Sequence, residues 1–552
     1  MFELIFLSII SVSIITPCGY ILNKNNADDI ITLSNHLIYG VIIISFVALL
    51  INFVFPLNIF VNSLILLLPF SIFLKKLRIY LTLNFFRFLF FNSIIIFLLI
   101  AKSDIYRPDA ILYHLPYTSI LNEEKIIFGL SNLHSRFAHI SIIQYFSAFF
   151  NNYIFGVKGI TLSIAIIASS IIVNFLAHSI NYLKIRKFNF HFFYLFSILI
   201  FIAYKMNRYG EYGNDAPTHF LFFFLISELI QSFNNKKISF NHNNFILAVF
   251  ILLNKITMAF AIFLPIIFLK KNKLFELFTT PKNYFAIIFL SLWVFKNIII
   301  SGCVIYPISQ LCFKNFEWSN INQTEYLAAE NEAWTKGWPD FNNKNNISHT
   351  EYNENYNWVS TWSKGHLIKI IKILAPYILL LIFIYLVIHI KLKNITVVHN
   401  KVANKEYFIL IIMMVLFSIV WFLKIPVYRY GYSYFVSFLS LGFAYVCTLN
   451  YSLKKNSYKF FGSFLIIFTL IFVLKNTIRI IKPENQDHRG LFPKTIFIDK
   501  SNVKKIQLND FAYYKSDEMC GYGFSPCTHY KTKLKSKKYF NYKVFLNNEF
   551  VK

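Results

Sequence analysis

The amino-acid sequence predicts an all-α polytopic membrane protein, and three observations support this fold class. Hydrophobic residues make up 56% of the 552-residue chain and aromatic residues 19%. Only 14% of the residues are charged, whereas a soluble domain carries about 25%. The apolar residues form stretches of about 17 to 25 residues, the length of helix that crosses the hydrocarbon layer of a bilayer. Because such stretches recur along the whole chain, lipid is its main solvent.

The charge balance argues against nucleic acid as a partner. Lys and Arg total 54 against 26 Asp and Glu, a formal charge of +28. These charges separate apolar stretches and do not form a basic soluble face. We attribute the excess to short cytoplasmic loops, where Lys and Arg accumulate, and to a bias toward Lys, Asn, Ile and Phe across the chain.

The first apolar stretch, Phe2 to Tyr20, has no basic segment before it and no clear small-residue cleavage site. It is therefore interpreted as a retained span and not as a signal peptide. Further apolar spans follow along the chain. The full set comprises residues 2–20, 37–55, 57–74, 80–101, 159–180, 188–204, 217–233, 283–301, 366–390, 406–423, 433–450 and 459–477.

Two additional segments raise the expected number of membrane segments to about 12 to 14. Residues 138–155 carry several polar side chains, which favours an amphipathic helix that lies at the membrane interface. Residues 245–269 are too short for two crossings and are interrupted by Asn254 and Lys255. This interruption predicts two half-length helices that enter the membrane and return.

The basic clusters predict the orientation of the chain. With these additional segments included, all clusters fall on one side, which should be cytoplasmic. The opposite, outer side receives residues 102–158, 205–216, 302–365, 424–432 and a tail from about 478. The predicted organisation is N-terminal spans (1–79), a transmembrane core (80–301) with the first outer loop (102–158), a long outer loop (302–365), C-terminal spans (366–477) and a small extramembrane tail (478–552).

Polar residues are densest in the first outer loop, which contains acidic, basic and amide side chains. A carboxylate just outside the membrane can deprotonate a hydroxyl group or hold a metal, and Arg can neutralise a phosphate group. An ordinary solvated loop is the alternative interpretation. The candidates are Asp104, Asp109, His114, Asn132, His134 and Arg136.

Four further charged residues lie near predicted span ends or inside apolar sequence. Asp215 could cap the helix that follows it. Lys255 lies within an apolar segment, where a charge is costly and indicates function by default; snorkelling to the interface is its alternative. Lys296 and Arg429 lie at outer span ends, and the guanidinium of Arg429 offers a rigid fork for phosphate, although such a residue can also anchor its helix.

Two features of the outer segments leave alternatives open. The long outer loop contains tryptophans that could stack on sugar rings or anchor the loop at the interface. These are Trp318, Trp334, Trp338, Trp358 and Trp362. Cys520 and Cys527 are close enough in sequence to form a disulfide if the tail lies outside the cytoplasm, and a pair of free thiols is the alternative.

Several short motifs resemble a bacterial branch of the GT-C superfamily of integral-membrane glycosyltransferases. The likeness extends from about residue 80 to the tail, with Ser131 and Ser135 in a motif that is usually richer in glycine. Its motifs are Asp109–His114, Gly129–Phe137, Lys296-Asn297, Ser301-Gly302, Tyr306-Pro307, Trp421-Phe422, Pro426 with Arg429, and Cys520 with Pro526–Thr528 and Tyr530.

The resemblance implies transfer of a sugar from a polyprenyl-phosphate-linked donor to an envelope glycan, lipid or protein on the periplasmic face of the bacterial inner membrane. Asp109 would be the base or acceptor-positioning group, with Asp104 as the alternate. Lys255, Lys296 and Arg429 would hold the donor phosphate, and Asp215 would be the second-loop acidic residue. The superfamily has members with and without a divalent ion, so Mg²⁺ or Mn²⁺ stays open.

Two other function classes stay open. A transporter or flippase for a lipid-linked saccharide would favour repeated halves and broken helices at the membrane midplane, whereas this sequence shows no internal symmetry. A non-catalytic protein of envelope-polysaccharide assembly is the third class.

Overall fold

The computed structural model describes residues 2–103, 109–139, 141–206, 212–234, 241–269, 278–343, 346–354, 356–394, 404–448, 452–454, 456–482, 491–492, 502–530 and 534–547. Within these ranges nine helices are long and apolar enough to cross a membrane, and five shorter apolar helices accompany them. The chain is therefore an all-α polytopic membrane protein with a small strand region near its C-terminus, as the sequence predicts.

The α-helices are α1 Phe2–Ile15, α2 Ile30–Asn52, α3 Ile59–Lys75, α4 Leu77–Tyr80, α5 Leu83–Ile100, α6 Leu115–Glu123, α7 Leu130–Leu133, α8 Ile142–Phe149, α9 Leu162–Lys184, α10 Phe190–Lys205, α11 Asp215–Asn234, α12 His242–Asn254, α13 Phe263–Ile267, α14 Pro281–Ser301, α15 Ile321–Thr335, α16 His349–Asn353, α17 Val359–Trp362, α18 Ile368–Val387, α19 Asn404–Lys424, α20 Tyr432–Thr448 and α21 Ser457–Ile481. The strands are β1 Lys393–Asn394, β2 Ser452–Leu453, β3 Val503–Gln507, β4 Ala512–Ser516, β5 Cys527–Thr528, β6 Leu534–Tyr539 and β7 Tyr542–Asn547.

Each predicted apolar span contains a helix, because its apolar run is long enough for backbone groups to be satisfied within one segment in lipid. The boundaries shift where local capping decides them. For example, α2 begins at Ile30, seven residues before the predicted span, because the Asp29 carboxylate accepts the Thr32 amide hydrogen at 2.7 Å. Such a cap satisfies a backbone donor that the first turn of a helix leaves unpaired.

The centre of the bundle is formed by α2, α9, α10 and α11. Of the apolar segment that contains α9, 89% is buried inside the protein. Only 28% is buried in each of the segments that contain α18, α19 and α21. The first group therefore forms the protein core, and the second group faces lipid over most of its surface.

Residues 138–155 are predicted to form a helix at the membrane interface, and this prediction is wrong because their helix lies within the protein. Helix α8 covers eight of these residues, and all eight are buried. It packs against α2 and α6, and the Ser141 and Gln144 side chains form a capping box at its start. An interfacial helix would keep one face against lipid. The segment is too short to span a membrane, as expected, but it lies within the protein.

The expected break at Asn254 and Lys255 is confirmed. Helix α12 ends at Asn254, and Lys255 has an extended backbone with φ −154° and ψ 114°. A 3₁₀ segment, Ile256–Ile262, continues into α13, which packs back against α12. The chain therefore turns back on itself at a break that places Lys255 at the end of a buried helix.

The segments outside the spans include a helical connection between α14 and α18 and a tail whose described part contains five strands. Helices α15, α16 and α17 lie in the connection between α14 and α18. In the tail, β3, β4 and β5 form one small sheet, and β6 and β7 form an antiparallel hairpin. The hairpin pairs with the connection between α5 and α9. The Phe128 amide donates to the Lys543 carbonyl at 3.0 Å, and the Phe545 amide donates to the Phe128 carbonyl at 2.9 Å.

Candidate functional site

A cavity of about 480 Å³ lies where several segment ends meet. Its walls come from the π-helical turn Ala110–His114, the start of α11, the break at Lys255, the loop after α14, and α15. The lining includes polar residues that the sequence singled out. These are Asp109, His114, Arg136, Asp215, Lys255 and Arg429.

Four of these residues form a continuous chain of alternating charge. The Arg429 Nη2 atom lies 3.2 Å from Asp109 Oδ2, and its Nε atom lies 3.4 Å from Asp215 Oδ2. The other carboxylate oxygen of Asp215 pairs with the Lys255 ammonium group. Two carboxylates that contact the same guanidinium would repel each other if the cation were absent. Arg429 therefore holds both acids in one site.

Local backbone structure explains how these four charges meet. Asp215 is the first residue of α11, where the positive end of the helix dipole favours a carboxylate. Lys255 directly follows α12, and its Nζ atom lies 3.5 Å from the centroid of the Tyr430 ring, a cation–π contact that stabilises a partly desolvated ammonium group. Arg429 and Tyr430 share the short 3₁₀ turn between α19 and α20.

His114 presents a hydrogen-bond donor to the site. The Ser141 amide donates to Gln144 Oε1 at 3.2 Å, which fixes the side-chain amide of Gln144. The Gln144 Nε2 group then donates to His114 Nδ1 at 2.8 Å. Burial lowers the pKa of His114 to about 4, against the opposing effect of Asp109. His114 is therefore neutral at pH 7, and its proton resides on Nε2.

Three predicted binding residues are not in the cavity lining. The Asn132 amide donates to the Trp318 and Phe545 carbonyls at 2.9 and 3.0 Å. His134 stacks on Tyr530 with ring centroids 4.3 Å apart.

Lys296 is buried, and its Nζ atom lies 4.9 Å from the ring centroid of Trp293. Its neighbours Trp293 and Asn297 do line the cavity. Asp104 lies outside the described residues.

The structure adds Glu332, which sequence reasoning missed, and places it close to Lys424 at the end of α19. Glu332 lies on α15, which forms one wall of the cavity. Its carboxylate accepts a hydrogen bond from Lys336 Nζ at 2.6 Å and lies 3.8 Å from Lys424 Nζ. The only sequence signal for Glu332 was that Lys336 follows it by four residues, a spacing that is common on exposed helix faces.

The tryptophans of the long outer loop divide into structural residues and one cavity residue. Trp318 and Trp362 donate to the Ile298 and Pro426 carbonyls. Trp358 is buried, and Trp338 packs on the Tyr352 ring. Trp334 lines the cavity and is 45% exposed. It is therefore the one member of this set that offers an open ring face to a molecule in the cavity.

The acids of the site do not form a ready metal centre. Within the described ranges, no group of three or more His, Cys, Asp or Glu side chains is placed to hold an ion. Asp109 and Asp215 share the guanidinium of Arg429, so an ion bound to both acids would have to displace a cation. This donor set does not fit a divalent ion held jointly by the two carboxylates.

Two disulfides lie next to the site. Cys520 and Cys527 are bonded, which resolves the alternative that the sequence left open. The bond between Cys303 and Cys312 was not expected from the sequence; it closes the loop whose residues 305–308 line the cavity. Next to the Cys520–Cys527 bond, the Gly521 amide donates to the Ile111 carbonyl at 3.0 Å. The tail therefore supports the turn that carries His114.

Comparison with known proteins identifies the family of the chain. No curated protein and no solved structure matches it. A family model described as a domain of unknown function, DUF8201, matches residues 1–436. The match includes every residue of the Asp109, Asp215, Lys255 and Arg429 cluster and covers well over half of the chain. The chain therefore belongs to the DUF8201 family.

Proposed function

We propose that this protein is a membrane glycosyltransferase that transfers a sugar from a polyprenyl-phosphate-linked donor to a cell-envelope acceptor. The observation that carries the proposal is the cavity beside the transmembrane bundle, in which an accessible carboxylate lies among cationic side chains. Such an arrangement suits a reaction in which a hydroxyl loses a proton while a phosphate departs. The resemblance of the motifs around Asp109 and Arg429 to GT-C enzymes supports the same reaction class.

Asp109 is the better base of the two acids. Its side chain is 38% exposed, and Arg429 is its one cationic contact among the described residues. Asp215 is 29% exposed, and within the same part of the chain it has two cationic partners, Lys255 and Arg429. A carboxylate held by two cations is a weaker proton acceptor than one held by a single cation. Asp215 therefore orients Arg429 and Lys255, and Asp109 receives the proton.

The proposed step is a single displacement at the anomeric carbon. The acceptor oxygen forms a bond to that carbon as the bond from the carbon to the donor phosphate oxygen breaks. The acceptor proton passes to Asp109, and the electron pair of the broken bond remains on the polyprenyl phosphate. One base is sufficient for this displacement, and cations stabilise the charge that develops on the departing oxygen.

Arg136 is the cavity cation best placed to accept that charge. It lies 6.0 Å from the Tyr113 ring centroid, and no carboxylate of the described chain lies within ion-pair distance. Lys424 is 69% exposed at the cavity edge. Lys255 and Arg429 already neutralise acids. Lys424 is itself 3.8 Å from the Glu332 carboxylate, so Arg136 is the cation of the described cavity lining without an acidic partner, and its guanidinium would bind the phosphate as a fork.

The two disulfides support a periplasmic location for the cavity and the tail. Both bonds lie at the cavity end of the bundle, and disulfides persist in oxidising compartments such as the bacterial periplasm. The distribution of Lys and Arg in the short loops favours the same orientation. We infer that the protein resides in a bacterial inner membrane with its site facing the periplasm.

The test is a transfer assay with purified protein in liposomes. Radiolabelled sugars on polyprenyl monophosphate, on polyprenyl diphosphate and on a nucleotide are offered with total envelope acceptors. We expect labelled product from the monophosphate donor alone, and none from protein-free liposomes. Movement of the intact labelled lipid between leaflets without a new glycosidic bond would contradict the proposal and favour a flippase.

Trp334 should contribute to binding of the sugar. We expect Trp334→Ala to raise the KM by about 2- to 13-fold, because stacking of a ring on an aromatic face contributes about 0.5–1.5 kcal/mol, and Trp334→Phe to have an intermediate effect. The control is Tyr326→Ala, a 38% exposed aromatic residue on the same helix that does not line the cavity. An equal rise in KM for both Ala variants would contradict a specific role for Trp334.

A further inference from the structure

The hairpin formed by β6 and β7 carries an apolar side chain at its tip. Tyr539 and Tyr542 are the last paired residues, so Phe540 and Asn541 form the turn. Phe540 is 97% exposed and has a positive φ of 49°. Non-glycine residues seldom adopt this conformation, and Asn or Asp is more usual there than a bulky residue. A phenylalanine that is both exposed and held in this conformation therefore needs an explanation outside the fold of the hairpin.

The tip lies at the level where a membrane span ends. The Tyr542 hydroxyl donates to the Phe53 carbonyl at 2.8 Å, and Phe53 follows the last residue of α2. Val54 and Phe55, the next residues, are 55% and 57% exposed. Since α2 is an apolar segment of membrane-spanning length, its end and these exposed side chains mark the membrane boundary. Phe540 is two residues away from the contact.

A basic side chain accompanies this apolar tip. Lys538 is exposed on β6, two residues before Phe540, and has no carboxylate within ion-pair distance in the part of the chain that the structure describes. Lys537 is different, because it pairs with Glu317 at 2.8 Å. Lysines beside an exposed aromatic residue suit a bilayer surface, where ammonium groups meet lipid phosphates and the ring enters the acyl region.

We propose that the β6–β7 hairpin is a lipid-binding element whose Phe540 side chain inserts into the bilayer leaflet next to the end of α2. Lys538 contacts anionic headgroups, and Phe540 enters the boundary between headgroups and acyl chains. The other end of the hairpin binds the protein through Phe128. The hairpin therefore couples the membrane surface to the connection between α5 and α9, and this inference does not depend on the proposed chemistry.

Insertion can be measured with a fluorophore at the tip. Phe540→Cys is labelled with a polarity-sensitive probe in protein embedded in nanodiscs. The label is specific because four native cysteines are in disulfides and Cys18 and Cys447 are buried. We expect blue-shifted emission, quenching by nitroxide-bearing lipids and protection from iodide, because an inserted group lies about 5–10 Å into the headgroup and acyl boundary.

A matched label at Lys504→Cys, an exposed site in the other sheet of the tail, should be quenched by iodide and not by the lipid. We also expect Lys538→Gln to reduce the lipid quenching at position 540 in anionic nanodiscs. A tip label quenched by iodide alone would overturn the proposal. Protection in native membranes but not in pure lipid would also overturn it, because the occupant would then be a protein.

A second readout uses the unmodified chain, in case the label disturbs the hairpin. Chymotrypsin cleaves after exposed phenylalanine. We expect cleavage after Phe540 to be slower in nanodiscs than in monomeric detergent, while cleavage after the exposed Tyr356 in the connection between α14 and α18 proceeds at the same rate in both. Equal cleavage after Phe540 in the two environments would contradict insertion.

Discussion

Asp109→Asn should reduce sugar transfer by about 10²- to 10⁴-fold, the contribution of a general base. The substitution preserves the size of the side chain and removes its ability to accept a proton. It should leave the fold intact, because Asp109 is 38% exposed and Arg429 keeps its contact with Asp215. The measurement is initial transfer rate in liposomes, with the amount of folded protein set equal by size-exclusion chromatography.

The matched control is Asp510→Asn, the same substitution at an exposed carboxylate of the tail, which lies 3.5 Å from the Ser536 hydroxyl. We expect it to transfer at the wild-type rate. Full activity of Asp109→Asn would show that Asp109 is not the base. Loss of activity in both variants would indicate that the acids act through the fold or the net charge and not through a proton transfer.

The span pattern could be predicted from the sequence because lipid imposes a simple requirement on it. Every backbone group in the hydrocarbon must be paired within a helix, so long apolar runs such as residues 366–390 have one stable outcome. Helix α8 was misplaced because side chains that face protein and side chains that face lipid are both apolar. Hydrophobicity alone therefore could not show that all of Ile142–Phe149 is buried in the protein.

The sequence predicted those residues of the candidate site whose charge is costly in or next to an apolar segment. Lys255 stood out because a charge inside an apolar segment is costly, and Arg429 because its guanidinium at an outer span end suits phosphate. The structure pairs both with Asp215. Asn132 was chosen because it lies in the polar first outer loop and in the motif Gly129–Phe137, and its amide instead satisfies two backbone carbonyls. Glu332 could not be foreseen, because the position of α15 over the cavity depends on long-range packing and not on any local pattern.

Lys255→Met should be the most destabilising single change in the site. Removal of one partner from a buried ion pair costs about 3–5 kcal/mol. Lys255 is 8% exposed and pairs with Asp215, so the change leaves a carboxylate with one cation fewer. We expect the lower end of this range, because Asp215 is 29% exposed and keeps Arg429 at 3.4 Å. The measurement is the midpoint of thermal unfolding in detergent.

The double variant separates the ion pair from the packing of the lysine stem. Asp215→Asn removes the charge that Lys255→Met leaves uncompensated, and Asn still suits the first turn of α11. The double variant should therefore regain most of the lost stability, because a buried pair costs nearly as much to desolvate as its attraction returns. Lys424→Met, at a 69% exposed lysine 3.8 Å from Glu332, should change stability by less than about 1 kcal/mol. If the double variant is as unstable as the two single losses added together, then Lys255 and Asp215 are not coupled, and the charge chain from Asp109 to Lys255 does not act as a unit.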